Sequence, residues 1–316
     1  MDKEKVIRTE ERKSLLKRYK ASKKSRFRKW SRQEKIILVS TTVIFAIYAI
    51  TLIYPFVFTF LNALKTPTEF YSDSLGFPEE FQWQNFITAL EIEFNGVTLG
   101  DMIWNSVWQT LLATVCGLVA STMMAYVTAK YNFKFLKVLY AIGIFSLVIP
   151  IIGSTPSMYN LLYTELFDVP GLTIADNPAF IWVIWFSGFG FAYLVLYSYF
   201  KTISWTYAEA AFIDGAGHFT VFIKIMVPQA LPAISSVLIV NAIGFWNDYM
   251  TAYLYLPSYP NLALGLYELK NNVAYIPGEM PVYYALMLLS LLPIAVAFIV
   301  FQKAIMKNLS TGGLKG

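Results

Sequence analysis

The stretch that decides the fold lies between two long apolar runs and reads SWTYAEAAFIDGAGHFTVFIKIMVP, from Ser204 to Pro228. Thr206 stands three residues before Glu209, a spacing that predicts a capping box at the start of a helix. Gly215 and the residues after it predict a left-handed helix stop. Beyond it, apolar side chains recur at helical spacing at Phe219, Phe222, Ile223 and Met226. The stretch is therefore predicted to form a helix, a turn and a second helix.

Six uncharged apolar stretches surround this segment, four before it and two after it. They cover residues 36–61, 103–128, 138–158, 179–200, 229–247 and 282–301. Each is close to the roughly 20 residues that a helix needs to cross the hydrocarbon of a bilayer, and a helix satisfies its own backbone groups there. The chain is only 14% charged, whereas soluble domains have about a quarter of charged residues. We therefore predict an all-α integral membrane protein with six transmembrane helices.

The positive charges fall almost entirely on one side of these stretches. Residues 1–35 form a basic tail with 15 of the 25 Lys and Arg residues, and its end, Ser31-Arg-Gln-Glu34, predicts a second capping box. Of the remaining ten, only Lys65 and Lys270 fall on the opposite side. Because Lys and Arg accumulate in cytoplasmic segments, both termini and the 204–228 loop are predicted to be cytoplasmic. The domain organisation is then a tail, 1–35, and a membrane domain, 36–316.

The order of residues within the loop resembles a known pattern. Glu209-Ala210-Ala211, followed at fixed distances by Gly215, Ile225 and Pro228, is similar to the "EAA loop" of ABC importer permeases, with valine at 227 where that pattern has leucine. The resemblance implies the transmembrane domain of a type I importer, in which this cytoplasmic loop between spans four and five is the coupling helix that docks in a cleft of the ATPase subunit. The residues that it assigns to this coupling are Glu209, Ala210, Ala211, Asp214, Gly215, Ala216, Ile225 and Pro228.

The likeness extends over most of residues 36–316. Segments that resemble the smaller permease of maltose-type carbohydrate importers are Asn105-Ser106, Ala125-Tyr126, Asp214-Gly215-Ala216, Trp246-Asn247-Asp248, the first outer loop from Lys65 and the glycine-rich C-terminus from Thr311. This resemblance implies half of a carbohydrate translocation path in a prokaryotic plasma membrane. The partners that it implies are a second homologous permease, two ATPase subunits and an extracytoplasmic solute-binding protein.

The chain carries no motif for nucleotide chemistry. It contains no G-x-x-x-x-G-K-[ST] phosphate loop, so we expect ATP and Mg to bind a partner ATPase, and the chain itself to be a transport subunit without a cofactor of its own. His218 and Cys116 are the only residues of their types, and a metal site is not expected from them. Membrane lipid is expected as a partner and nucleic acid is not.

Four residues at the end of the fifth stretch are candidates for contact with substrate. Trp246-Asn247-Asp248-Tyr249 combines aromatic rings with amide and carboxylate groups, which suits a sugar. The same residues would also suit an aromatic belt at the membrane edge.

Alternatives from other classes remain for the whole chain. They are a permease for a non-sugar solute, an ion-coupled secondary transporter and a membrane enzyme. Secondary transporters usually keep ionisable residues at mid-membrane depth, and the six stretches are uncharged. For the loop alone, the alternative is an interfacial helix pair that rests on lipid headgroups.

Overall fold

The computed structural model describes residues 31–148, 154–161, 176–179 and 181–311. Within these ranges the chain is helical apart from loops and one two-stranded hairpin. Most of the basic tail, the centre of the third predicted span around Pro150 and the residues after Thr311 lie outside them. The chain divides into two compact units that meet between Phe58 and Thr59.

Helix α1, Arg32–Ala63, makes up most of the described part of the first unit and ends in the second. The predicted capping box begins it: the Ser31 amide donates to Glu34 Oε2 at 2.8 Å, and the Glu34 amide donates to Ser31 Oγ at 3.1 Å. Two amide donors at the start of the helix are thereby satisfied, and this prediction is confirmed.

The second unit consists of helices of very different length. They are α2 (Pro67–Ser72), α3 (Gln84–Glu91), α4 (Leu99–Lys130), α5 (Lys134–Val148), α6 (Ser154–Asn160), α7 (Trp182–Trp185), α8 (Phe191–Thr202), α9 (Thr206–Ile213), α10 (His218–Val221), α11 (Val227–Trp246), α12 (Tyr249–Tyr255), α13 (Leu262–Asn271) and α14 (Glu279–Thr311). A π-helical turn, Phe222–Met226, joins α10 to α11, and a 3₁₀ turn, Val273–Tyr275, follows α13.

A short hairpin leads into α4. Strands β1 (Glu93–Phe94) and β2 (Val97–Thr98) pair antiparallel. The turn residues Asn95 and Gly96 both have positive φ, 53° and 77°, as two-residue hairpin turns favour. Thr98 and Asp101 then cap α4 reciprocally. This arrangement fixes where the second predicted span begins.

Four helical stretches of the described chain are long and apolar enough to cross a membrane. They are Arg32–Ala63, Leu99–Lys130, His218–Trp246 and Glu279–Val296. These stretches contain the first and second predicted spans, all of the fifth except Asn247, and most of the sixth.

The fourth predicted span is not the single helix that its apolar composition suggested. Helix α7 ends at Trp185, and α8 begins only at Phe191. Gly190 has φ 126° and ψ −165°, a conformation that is essentially restricted to glycine. A Cβ on Gly188 would lie 3.5 Å from Met124 Cβ and 3.7 Å from the Ala120 carbonyl oxygen. The non-helical segment therefore packs closely on α4, as irregular backbone within a membrane requires.

Three clusters of buried side chains hold the second unit together, and α4 contributes to each of them. One cluster includes Ala208 and Met226 from the 204–228 loop, and we call its end of the unit the near end. The cluster at the far end includes Leu262 and Leu286. Because α4 also supplies Ala113 to the cluster between them, it runs from the far end to the near end of the unit.

Candidate functional site

The first helix of the loop, α9, begins in a different way from the sequence prediction. Thr206 is already the first helical residue, and no side chain caps the helix. The Ser204 hydroxyl oxygen instead accepts a hydrogen bond from the Thr206 amide at 3.3 Å, and the Glu209 amide donates to the Trp205 carbonyl at 3.1 Å. The predicted capping box of Thr206 and Glu209 is wrong because Thr206 already lies within the helix and Trp205 occupies the N-cap position. The Glu209 side chain is therefore not held by a cap.

Gly215 ends α9 in the predicted left-handed conformation, with φ at 82°. The Ala216 amide donates to the Ala211 carbonyl at 2.9 Å, and the Gly215 amide donates to the Phe212 carbonyl at 3.0 Å. This pair of bonds is a Schellman motif. A Cβ at Gly215 would meet no atom within 4 Å, so a larger residue there strains the backbone without a clash.

The second helix of the loop is continuous with the fifth membrane helix. We predicted a separate element followed by a span from Gln229, whereas helical structure runs without a break from His218 to Trp246. Pro228 lies in the first turn of α11 and has no amide to donate. The Val227 amide donates back to the Phe222 carbonyl, and this π-turn accommodates the proline within the helix. The second helix of the loop and the fifth span therefore form one continuous helical stretch.

One face of the loop is buried and the other is exposed. Ala208, Val221 and Met226 are fully buried in the near-end cluster, and Ala211, Ala216 and Ile225 lie half-buried against it. The exposed residues are Ser204, Thr206, Tyr207, Glu209, Ala210, Ile213, Asp214, Gly215, Gly217, His218, Phe219, Thr220, Ile223, Lys224 and Pro228. Ile213 and Phe219 are 87% and 73% exposed. Of the predicted coupling residues, the structure thus exposes Glu209, Ala210, Asp214, Gly215 and Pro228 and turns the other three toward the core.

The end of α4 contacts residues on both sides of α9. The Lys130 ammonium group donates to the Ile203 carbonyl. The Tyr131 hydroxyl lies 2.8 Å from His218 Nδ1, in hydrogen-bond geometry, and the His218 ring also packs on Phe212 with centroids 4.8 Å apart. Sequence reasoning had considered His218 only as a metal ligand and had missed Tyr131, since the two are 87 positions apart.

The four candidate substrate residues have local partners at the far end. Asp248 caps α12 by accepting a hydrogen bond from the Thr251 amide at 3.1 Å. Asn247 Nδ2 donates to the Ile243 carbonyl at 2.8 Å, Trp246 packs half-buried on the far-end cluster, and Tyr249 stacks on Tyr267 with ring centroids 4.5 Å apart. The Asp248 carboxylate is therefore engaged within the fold, and the Asn247 side chain is exposed.

A group of buried amides lies beside these residues, and of these only Asn105 belongs to a segment that resembles the maltose-type permeases. Gln109 Nε2 donates to the Tyr259 carbonyl at 2.8 Å, and Asn105 Nδ2 donates to the Pro260 carbonyl at 3.0 Å. Asn261 Nδ2 lies 3.0 Å from Gln109 Oε1 and 2.9 Å from the Asp248 carbonyl oxygen. The group ties the turn before α13 to α4. In the described ranges, no three His, Cys, Asp or Glu side chains come together as they would around a metal ion.

Comparison with known proteins identifies the family. Residues 117–311 match the family model described as "Binding-protein-dependent transport system inner membrane component". The chain belongs to this family. It is a multi-pass membrane protein and a transport subunit, and the predicted ABC importer permease is confirmed.

Similar permeases cover nearly the whole chain. The diacetylchitobiose uptake system permease protein NgcG of Streptomyces coelicolor is 26% identical over 84% of this chain and 85% of its own length. The maltose/maltodextrin transport system permease protein MalG of Photorhabdus laumondii is 27% identical over 90% and 98%. The melibiose/raffinose/stachyose import permease protein MelC of Bacillus subtilis is 27% identical over 87% and 96%.

The fold of this permease matches solved structures. A chain of a bacterial ABC transporter that imports the acidic polysaccharide alginate aligns with a TM-score of 0.68 and 22% identity, over 87% of this permease and 98% of that chain. A chain of the alginate transporter in complex with an alginate pentasaccharide-bound periplasmic protein aligns with a TM-score of 0.61 and 16% identity. These likenesses confirm the predicted type I importer transmembrane fold.

Proposed function

We propose that this permease forms half of the translocation path of a carbohydrate importer and that its 204–228 loop docks on a separate ATPase subunit. The single observation that supports the docking most strongly is the exposed face of the loop. Ile213 is 87% exposed beside Glu209 and Asp214, and exposed apolar surface rimmed by polar groups is typical of protein interaction sites. A resting place on lipid headgroups would suit Ile213 and Phe219, but it would not suit the two carboxylates.

The chemistry of the docking surface on the partner follows from this face. Two exposed carboxylates flank the Ile213 side chain along α9 and the turn after it. The matching surface is an apolar cleft with basic residues at its rim. ATP and Mg then belong to the ATPase, and this permease supplies the contact that couples their hydrolysis to transport.

The substrate class rests on the relatives. The three permeases described above are named for diacetylchitobiose, maltose and maltodextrin, and melibiose, raffinose and stachyose, all of which are oligosaccharides. A permease for a non-sugar solute is the second candidate. Trp246, Asn247, Asp248 and Tyr249 are our proposed lining of the path, and the exposed Asn247 side chain and the Tyr249 ring are the groups within it best suited to a sugar.

The assembly that this function needs contains more chains than this permease. We propose a second, homologous permease for the other half of the path, two ATPase subunits on the cytoplasmic face and a solute-binding protein on the outer face of a prokaryotic plasma membrane. The excess of Lys and Arg on the side of the termini supports cytoplasmic termini. The near end of the second unit then faces the cytoplasm and the far end faces outward.

Transport by the purified complex tests the substrate class. The complex, isolated through a tag on this chain and reconstituted in proteoliposomes with its solute-binding protein, is offered labelled di- and trisaccharides, amino acids and dipeptides. ATP-dependent accumulation of at least one saccharide, unaffected by a protonophore, is expected. Accumulation of amino acids or dipeptides alone would overturn the carbohydrate assignment, and uptake that the protonophore abolishes would favour the ion-coupled transporter.

A further inference from the structure

Helix α4 is fixed to the far end of the molecule by buried polar side chains. Gln109 and Asn105 donate to the carbonyls of Tyr259 and Pro260, and the Ser106 hydroxyl oxygen accepts from the Leu262 amide at 2.8 Å. The three side chains are more than nine-tenths buried, so each bond that is broken leaves a polar group without water. We call these bonds the far-end contacts.

The same helix is fixed to the near end by the two residues at its end. Lys130 donates to the Ile203 carbonyl, and Tyr131 bonds to His218. We call these two hydrogen bonds the near-end contacts. Ile203 precedes α9 and His218 begins α10, so the contacts lie on both sides of α9, which we call the docking helix. A displacement of the end of α4 would therefore carry α9 with it.

Helix α4 spans the distance between the two sets of contacts. It is one helix from Leu99 to Lys130, and about 33 Å separates the level of Gln109 from that of Tyr131 at 1.5 Å per residue. The other three stretches long enough to cross a membrane all contain proline, and the His218–Trp246 stretch also contains the π-turn. Proline and π-turns are the usual causes of bending in helices, and α4 has neither.

We propose that α4 is the element that transmits displacement between the turn 256–262 on the outer face and the docking helix on the cytoplasmic face. Tyr131 and His218, together with Gln109, act as positioning residues that make this transmission possible. The inference rests on the proposed function, since it needs an ATPase at the near end. A ligand that moves the outer turn would thus reach the ATPase through a single helix, and ATP binding would move the outer turn in return.

The reverse direction gives a test that needs no knowledge of the substrate. In the purified complex with Cys116→Ser, a single cysteine replaces Tyr253, which is exposed on α12. Its labelling rate by a hydrophilic maleimide is measured with and without ATP, Mg and orthovanadate, which trap the ATPase after hydrolysis. Trapping is expected to change the rate in the parental complex. Tyr131→Phe, which removes only one hydroxyl group, should reduce that change on the order of two- to thirtyfold while the ATPase stays bound.

Two further variants separate transmission from general damage. Tyr193→Phe is the matched control because it removes another tyrosine hydroxyl hydrogen-bonded to α4, at Thr128, and that hydrogen bond does not involve the loop; its response should equal the parental one. Gln109→Leu combined with Tyr131→Phe should lose no more of the response than the stronger single variant, because one connection is broken once.

Three results would overturn the inference. If trapping changes the labelling rate of Tyr131→Phe as much as that of the parental complex, transmission through α4 alone is contradicted. It is also contradicted if the double variant loses the product of the two single losses of response. A parental complex that holds an ATPase but shows no response at Tyr253 would also contradict it. The absence of any ATPase in the parental complex would instead refute the proposed function itself, so the two failures are distinguishable.

Discussion

The near-end loop and the far-end segment at Trp246 both contain polar and aromatic residues that suggested function. The carboxylates of the loop are exposed, whereas the carboxylate of the far-end segment is hydrogen-bonded within the fold. In the loop, Glu209 and Asp214 are exposed. At the far end, the Asp248 carboxylate caps a helix and the Asp248 carbonyl accepts from Asn261. The loop therefore offers unused groups to a partner, while Asp248 already satisfies needs of the fold.

This difference teaches how to weigh candidate residues. A carboxylate that accepts hydrogen bonds from its own helix start contributes on the order of 1 kcal/mol of stability whether or not a substrate is near. An exposed carboxylate beside a highly exposed isoleucine contributes little to the stability of the folded chain, and both side chains are accessible to the proposed partner. We expect substitutions in the two regions to separate accordingly, into effects on coupling and effects on stability.

The largest effect is expected at Gly215. A β-branched residue at its φ of 82° should destabilise this turn by roughly 1–2 kcal/mol. It should thereby change the angle between α9 and the second helix of the loop. Gly215→Val should therefore reduce uptake on the order of tenfold or more, while the protein still reaches the membrane. Gly215→Asn is the matched control, because asparagine tolerates the left-handed region and an added Cβ meets nothing within 4 Å. Equal uptake by the two variants would show that transport does not depend on the conformation of the turn at Gly215.

A smaller effect is expected at Glu209. The side chain is exposed and bears no capping bond, so its removal should leave folding intact. Exposed ion pairs contribute about 0.2–1 kcal/mol, so Glu209→Lys should weaken retention of the ATPase severalfold during purification, and Glu209→Gln should do so less. High salt should reduce the difference between parent and variant, because it screens exposed charges. Retention that is the same in all three proteins at low salt would remove Glu209 from the docking surface.

The smallest effect on transport is expected at Asp248, whose substitution should change stability more than uptake. Asp248→Ala should lower stability by about 1 kcal/mol through loss of the cap on α12, seen as a lower unfolding temperature of the purified complex. Asp248→Ser keeps a capping oxygen and should restore most of it, with uptake close to the parental rate. If Asp248→Ser is stable and yet transports nothing, the carboxylate contacts the substrate, and the contrast between the two regions fails.

Much of the fold could be predicted because long uncharged apolar stretches indicate membrane-spanning helices. The first helix begins at the predicted Ser31 and Glu34 capping box, and Gly215 has its predicted conformation. The break before Phe191 could not be predicted from apolar length, because it depends on Gly190 and on close packing of Gly188 against α4. The start of α9 was missed because Ser204, Trp205 and Thr206 offer competing cap positions.

The sequence predicted which segment forms the candidate site, but not which of its residues lie on the surface. Helical spacing identified the residues of the loop, but burial decides which of them a partner can reach, and burial of Ala208 and Ala211 comes from helices distant in sequence. The bond between Tyr131 and His218 belongs to the same class of long-range contact. No local pattern reports it, because each partner alone is an ordinary aromatic residue at a helix end.

Site-specific photo-crosslinking at Ile213 tests the docking of the loop most directly. A photoreactive amino acid replaces Ile213, which is 87% exposed at the near end, and in a separate protein it replaces Leu75, which is 74% exposed on the segment between α2 and α3. After irradiation of intact membranes, the adduct is identified by mass spectrometry. Docking predicts a crosslink from position 213 to an ATPase subunit and none from position 75. Crosslinks from position 213 to lipid alone would contradict it.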